Sequence, residues 1–166
     1  LAGAVASVLA PRGGTVVVGK DTRISGYMFE CALEAAFVES GLDVMLLGPL
    51  PTPAISYTIK DCNANFGIVI SASHNSYEYN GIKILNNIGE KLDIRLEVDI
   101  ESQLSKDPIT QTADTIGRAT RNPNARDRYT QFISGIFNQP RPLKNMKVVG
   151  CLLILIDINI FSIHNF

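Results

Sequence analysis

The sequence predicts an α/β domain built on a partly parallel sheet. Three observations predict it. Short β-branched runs alternate with stretches of helical periodicity, and glycine and proline punctuate the junctions. Hydrophobic residues make up 46% of the 166-residue chain, ample for a packed core. That length fits one domain, or one domain with part of a second. Lys and Arg (15) nearly balance Asp and Glu (16), which argues against a nucleic-acid partner held by bulk charge.

Residues 1–9, rich in Ala and Val, read as a helix. Residues 15–19 (TVVVG) follow a Gly-Gly turn and read as a buried strand. Ser25 is a candidate N-cap. Met28, Phe29, Ala32, Leu33, Ala36 and Phe37 fall on one face of the following helix, which Gly41 ends. Residues 44–47 form a second strand, closed by Gly48-Pro49. Thr52-Pro53 opens a short helix to about Cys62. Residues 66–70 (FGIVI) are a third strand, 71–80 a polar loop and 82–85 a fourth strand. Asn86-Asn87 and Gly89 mark a turn, and a helix spans about 93–105.

Residues 105–124, rich in Thr, Asp, Asn and Pro, read as a linker. Tyr129, Phe132, Ile133, Ile136 and Phe137 then recur at helical spacing. Pro140 and Pro142 end that helix, and Lys147-Val148-Val149 looks like the first strand of a new α/β unit. The expected division is a first domain over 1–117, the beginning of a second over 118–150, and an aberrant apolar tail over 151–166.

Cys31, Cys62 and Cys151 are widely spaced and odd in number, so they make neither a disulfide framework nor a CxxC metal site. They read as unpaired buried thiols in a reducing cytosol. No basic n-region precedes an apolar core at the start. In 152–166, ten of the fifteen residues are Leu, Ile or Phe. Asp157, Asn159, His164 and Asn165 interrupt them, so the tail falls short of the ~18 apolar residues a membrane span needs. No membrane partner is expected.

Ligands on such sheets sit outside the carboxyl ends of the strands. Two polar loops, 19–26 and 71–80, occupy that position. In the second, Ser71-Ala72-Ser73-His74-Asn75 puts a serine beside a histidine just past a strand end, a candidate nucleophile or phosphate acceptor. Adjacent side chains diverge, so this is not a hydrolase triad, and no G-x-S-x-G elbow is present. The plain alternative is a polar turn, which Asn80-Gly81 favours.

In the first loop, the Lys20, Arg23, Ser25 and Gly26 set could bind an oxyanion near the start of the following helix. It carries neither a P-loop pattern nor G-x-G-x-x-G. Equally, an Asp21–Arg23 pair could fix the loop against its neighbour. Lys83 is placed to reach back to the serine loop, and its plain alternative is a solvated surface charge.

GKDTRISGYM, GPLPTPA, GIVISASHN and YNGIK, in this order and spacing, resemble the bacterial phosphoglucosamine mutases of the α-D-phosphohexomutase superfamily. The resemblance covers about residues 1–149. It implies a three-layer α/β/α mixed sheet, the phosphohexomutase domain I, plus the start of a second similar domain. It also implies interconversion of glucosamine 6-phosphate and glucosamine 1-phosphate, on the route to UDP-N-acetylglucosamine. Ser73 would carry the phosphoryl group, pass it to the sugar through a bisphosphorylated intermediate, and recover the other phosphate.

His74 and Lys83 match positions that assist proton transfer or stabilise phosphoryl charge. Lys20, Asp21, Arg23 and Asn75 would support the loop or the substrate. A Mg²⁺ ion would bridge the phosphate on Ser73 and three Asp of a DGDGDR loop. The implied partners are a sugar phosphate substrate and a sugar bisphosphate intermediate, in the cytoplasm, with a homodimer among full-length members. Phosphoryl transfer depends on positioning and charge stabilisation, and needs no Ser–His–Asp relay. The alternatives are a phosphomannomutase/phosphoglucomutase of the same superfamily, or a non-catalytic remnant.

The sequence departs from the family at Ser76, where Pro is most common. GTDGIRG and DGDGDR are not found in it, and neither are the substrate loops of the family's third and fourth domains. The family pattern stops after KVV, at Gly150-Cys151. The expectation is therefore an N-terminal fragment, inactive alone, with a frameshift near Gly150 or an error in the gene model; the plain alternative is a genuine divergent strand.

Overall fold

A computed structural model describes residues 1–107 and 110–136. The expectations for Phe137, Pro140, Pro142, 147–149, Cys151 and the tail lie outside the described residues. The described elements are α1 (Ala2–Leu9), β1 (Gly14–Lys20), α2 (Ser25–Glu39), β2 (Leu42–Pro49), α3 (Thr52–Asp61), β3 (Phe66–Ile70), β4 (Ile82–Leu85), α4 (Ile94–Gln103), β5 (Ala119–Arg121) and α5 (Ala125–Gly135). Five strands form one mixed sheet in the order β4-β3-β1-β2-β5. β1 pairs in parallel with β2 and β3, and β2 with β5, while β4 runs antiparallel to β3.

Strand alternation divides the core into two layers. Val16 and Val18 of β1 pack with Phe37 of α2 and with α1 and α4, whereas Val17 packs with Ile55 and Ile59 of α3. Both sheet faces are therefore covered, which is why the central strands are continuous apolar runs. Phe66 meets Phe37 edge-on at a centroid distance of 5.5 Å. Gly67 leaves room for Ile59, whose side chain occupies the space a Cβ would take. The result is the α/β/α arrangement that the sequence predicts.

Several expectations change. The first concerns α2. Leu33 and Phe37 are buried as expected, but Met28 (63% exposed) and Ala32 face solvent. The helix is turned so that Gly26 and Glu30 point inward. Glu30 takes a core position because it pairs with buried Lys20 of β1. Ser25 does not cap α2: the N-cap is Ile24, with no side-chain cap bond.

The second change is within the expected linker. Residues 119–121 form β5, held to β2 by Val44 N–H donating to Arg118 O at 2.9 Å and Asn122 N–H donating to Leu46 O at 3.0 Å. Gly117 makes this approach possible, because a Cβ there would collide with the Leu42 carbonyl. α5 then packs on α3, with Phe132 stacked on Tyr57 at 4.5 Å. Cys31 also differs from the expected buried thiol: it is exposed, while Cys62 is half-buried.

Candidate active site

The carboxyl ends of β1, β2 and β3 lie together because the three strands are parallel. Leu50 N–H donates to Lys20 O, and Asp21 N–H to Ile70 O, each at 3.0 Å. The first bond ties the end of β1 to the segment after β2, and the second brings the loop after β1 beside the loop after β3, as the strand order requires.

Lys20 is not presented to this surface. It is 1% exposed, ion-paired to Glu30, and lies over the Tyr27 ring at 3.5 Å. Burial pushes its ammonium below the usual lysine value; the nearby Arg121 charge adds to this and Cys31 opposes it. Its contribution is to join β1 to α2 beneath the loops.

Asp21 and Arg23 work one level up. One Asp21 carboxylate oxygen accepts the Arg23 backbone N–H at 3.1 Å, and the other is ion-paired to the Arg23 guanidinium. The remaining guanidinium arm, Nη2, crosses to the second loop and donates to Ser73 O at 3.1 Å and Asn75 O at 2.5 Å. A planar guanidinium can hold a carboxylate and two carbonyls at once in a way that a lysine cannot. At the far end of the same loop, Asn80 Nδ2 donates to Ser25 Oγ at 3.0 Å and Asn80 Oδ1 accepts Gly81 N–H at 2.9 Å. The loop is tied to α2 and its approach at both ends.

Between the ties sits Ser73, with φ of 56°. This left-handed conformation is unusual outside glycine and costs about 1–3 kcal/mol, so the surroundings must enforce it. Ser73 N–H donates to the Ser71 hydroxyl at 3.0 Å, and Ser73 C=O accepts from Arg23. The Ser73 side chain is exposed, and its hydroxyl has no hydrogen-bond partner among the described residues. The site therefore immobilises the serine backbone and leaves its oxygen available to a reactant.

His74 and Asn75 follow on the exposed side of the turn, with Asn75 N–H donating to Ala72 O at 3.2 Å. Lys83 stands on β4 opposite Val69, exposed, with no ion pair to the loop among the described residues. Ile24, Tyr27, Met28, Tyr77 and Tyr79 add large exposed apolar side chains on the same two loops and the start of α2. Sequence reasoning missed Ser71 and Asn80 as parts of the site. The signal for Ser71 was present: a Ser two residues before another backbone N–H is an ST-turn pattern.

Among the described residues no three His, Cys, Asp or Glu side chains gather as metal ligands. The Asp21 carboxylate is committed to Arg23. These residues do not by themselves compose a Mg²⁺ site. Among them, too, no helix is long and apolar enough to cross a membrane.

Comparison with known proteins places these features in context. The family described as phosphoglucomutase/phosphomannomutase, alpha/beta/alpha domain I, matches residues 1–111. Phosphoglucosamine mutase 1 of Shewanella amazonensis is 49% identical over 148 residues, covering 88% of this chain and 33% of that protein. Phosphoglucosamine mutase of Shewanella oneidensis is 48% identical over 140 residues, covering 83% of this chain and 32% of its own length. The chain thus spans about a third of the curated relatives it matches. A putative phosphomannomutase from Thermus thermophilus superposes with a TM-score of 0.70 at 30% identity, over 82% of this chain and 31% of the other. A phosphoglucomutase/phosphomannomutase family protein from Burkholderia thailandensis shares the fold, with a TM-score of 0.65 at 24% identity, over 80% and 30% of the two chains.

Proposed function

Because the chain belongs to the phosphoglucomutase/phosphomannomutase family, we propose that it supplies the phosphoryl-carrying serine, Ser73, of a phosphoglucosamine mutase. The single observation that carries this reading is the exposed Ser73 hydroxyl, unpartnered on a backbone held at both its N–H and its C=O. The names of the Shewanella relatives favour glucosamine phosphates over mannose or glucose phosphates as substrates.

Phosphorylated Ser73 gives its phosphoryl group to a free hydroxyl of the sugar monophosphate: the Oγ–P bond breaks, a sugar O–P bond forms, the sugar hydroxyl loses its proton to a base and Ser73 Oγ takes one up, which gives the bisphosphorylated sugar. Ser73 Oγ then attacks the other phosphorus: an Oγ–P bond forms, the P–O bond to the sugar breaks, the serine proton leaves to a base and the departing sugar oxygen takes up a proton, which releases the isomer and restores phosphorylated Ser73. His74, next to the nucleophile, is the candidate proton carrier, and Lys83 the candidate cation for phosphoryl charge. Lys20, Asp21, Arg23 and Asn75 act by support: the first through α2, the others through the loop backbone. The described residues do not by themselves assemble a Mg²⁺ site. The division near residue 117 and a homodimer of the full-length protein belong to the same proposal. So does the absence of turnover by this chain alone.

The test is mass spectrometry of the 166-residue chain after incubation with glucosamine 1,6-bisphosphate and Mg²⁺. The reading expects one added phosphate, on Ser73, without conversion of glucosamine 6-phosphate to the 1-phosphate. Phosphate spread over other serines, or none on Ser73, would overturn it.

A further inference from the structure

We infer that Ser71 and Arg23 are positioning residues that together set the left-handed backbone of Ser73 and so aim its hydroxyl. This deepens the reading of Ser73 as the phosphoryl carrier and rests on it.

Ser73 adopts a φ of 56° although it is not glycine. Such a conformation persists only where its surroundings over-determine it. Here each polar backbone group of Ser73 is engaged by a side chain. Its N–H meets Ser71 Oγ at 3.0 Å, and its C=O meets Arg23 Nη2 at 3.1 Å.

Neither anchor is itself loose. Ser71 is 9% exposed, and its own N–H donates to Gly81 O at 2.8 Å. The Arg23 side chain is 10% exposed, and Asp21 grips both its backbone N–H and its guanidinium. The same Nη2 holds Asn75 O, so the turn is fixed on both sides of His74.

The arrangement divides labour. The two anchors consume the backbone's hydrogen-bonding capacity, and the Oγ is left as the free polar group of the residue. A reacting oxygen held this way needs no search among rotated backbones before transfer, and misplacement by about 1 Å can cost on the order of a hundredfold in rate. Sequence separation hides the device: Arg23 lies 50 residues from Ser73. Ser71 is close in sequence, and it acts through its hydroxyl, which accepts the Ser73 N–H.

Four forms of the full 166-residue chain test this: wild type, Ser71→Ala, Ser71→Thr and Arg23→Lys. Amide hydrogen exchange at Ser73 is read by NMR, the rate of Ser73 phosphorylation from glucosamine 1,6-bisphosphate by mass spectrometry, and global unfolding by urea. Ser71→Ala is expected to speed Ser73 amide exchange at least about tenfold and slow phosphorylation about ten- to a hundredfold. The urea midpoint should stay near wild type. Ser71→Thr keeps the oxygen and should restore both readouts to within about threefold. Arg23→Lys keeps the charge without the fork and should slow phosphorylation about tenfold or more relative to wild type.

Unchanged exchange and phosphorylation in Ser71→Ala would overturn the inference, as would an Arg23→Lys chain that matches wild type. If the wild-type chain takes no phosphate on Ser73, the carrier reading fails. The exchange comparison then still decides whether Ser71 holds the Ser73 backbone.

Discussion

Two ion pairs begin on neighbouring residues at the end of β1, and they do different things. Lys20 turns inward to Glu30, and both side chains are almost wholly buried, at 1% and 4% exposed. Asp21 holds Arg23 at the rim, at 21% and 10% exposed, and Arg23 reaches on to the serine loop. The inner pair joins a helix to a sheet and is dry, so losing one partner strands a charge. The outer pair holds a loop whose opening exposes its groups to water, which limits the cost to stability. One residue along a strand therefore separates a pair that matters for folding from a pair that matters for aim.

The largest expected effect tests the inner pair. Glu30→Ala should lose about 3–5 kcal/mol of unfolding free energy, because Lys20 is left buried and unpaired. Urea denaturation measures this, and a loss under about 1 kcal/mol would place the pair with the surface bridges instead. Replacing both partners with apolar residues (Lys20→Met with Glu30→Leu) should recover most of that loss.

The outer pair should respond less in stability. Arg23→Ala is expected to cost about 1–2 kcal/mol, the scale of charge-assisted hydrogen bonds lost at a partly wet site. If it unfolds the chain as strongly as Glu30→Ala, the proposed separation between folding and aim fails. Smaller again is Asn80→Ala, which removes the tie to Ser25 Oγ and the bond to Gly81 N–H. About 0.5–1.5 kcal/mol is expected, with faster proteolytic cleavage within 71–80 as the more sensitive readout.

The smallest effect concerns two thiols. Cys31 is exposed on the outer side of the same helix that carries Glu30, whereas Cys62 is half-buried. Burial, with the Asp61 charge adding and Arg128 opposing, pushes the Cys62 thiol up. The thiolate is the reactive form, so iodoacetamide at about pH 8 should label Cys31 well before Cys62 in peptide mass spectra. Equal rates would show that the outer face of α2 is covered.

How legible these regions were follows from how local their causes are. β3 was readable to the residue because FGIVI is buried on both faces and bounded by polar turns. β5 was not: it has three residues, one half-buried and two exposed, so neither alternation nor an apolar run marks it. Its place comes from β2, through bonds such as Arg118 N–H to Asp43 Oδ1 at 2.9 Å, which span 75 residues.

The rotation of α2 escaped for the same reason. Periodicity counted Met28 and Ala32 as core and gave Glu30 no place there, and only the contact with Lys20 turns Glu30 inward. At the candidate site, Ser73 and its neighbours were legible as a loop after a strand. Its left-handed backbone and the reach of Arg23 belong to tertiary geometry.

The most direct measurement of the central claim exchanges the stretch of Shewanella amazonensis phosphoglucosamine mutase 1 that this chain matches for the corresponding residues of this chain. It then assays conversion of glucosamine 6-phosphate to glucosamine 1-phosphate, with and without Ser73→Ala. An active hybrid is expected, with turnover that falls about a thousandfold or more when the Ser73 oxygen is removed. An active hybrid that keeps its turnover in the Ser73→Ala form would contradict the claim.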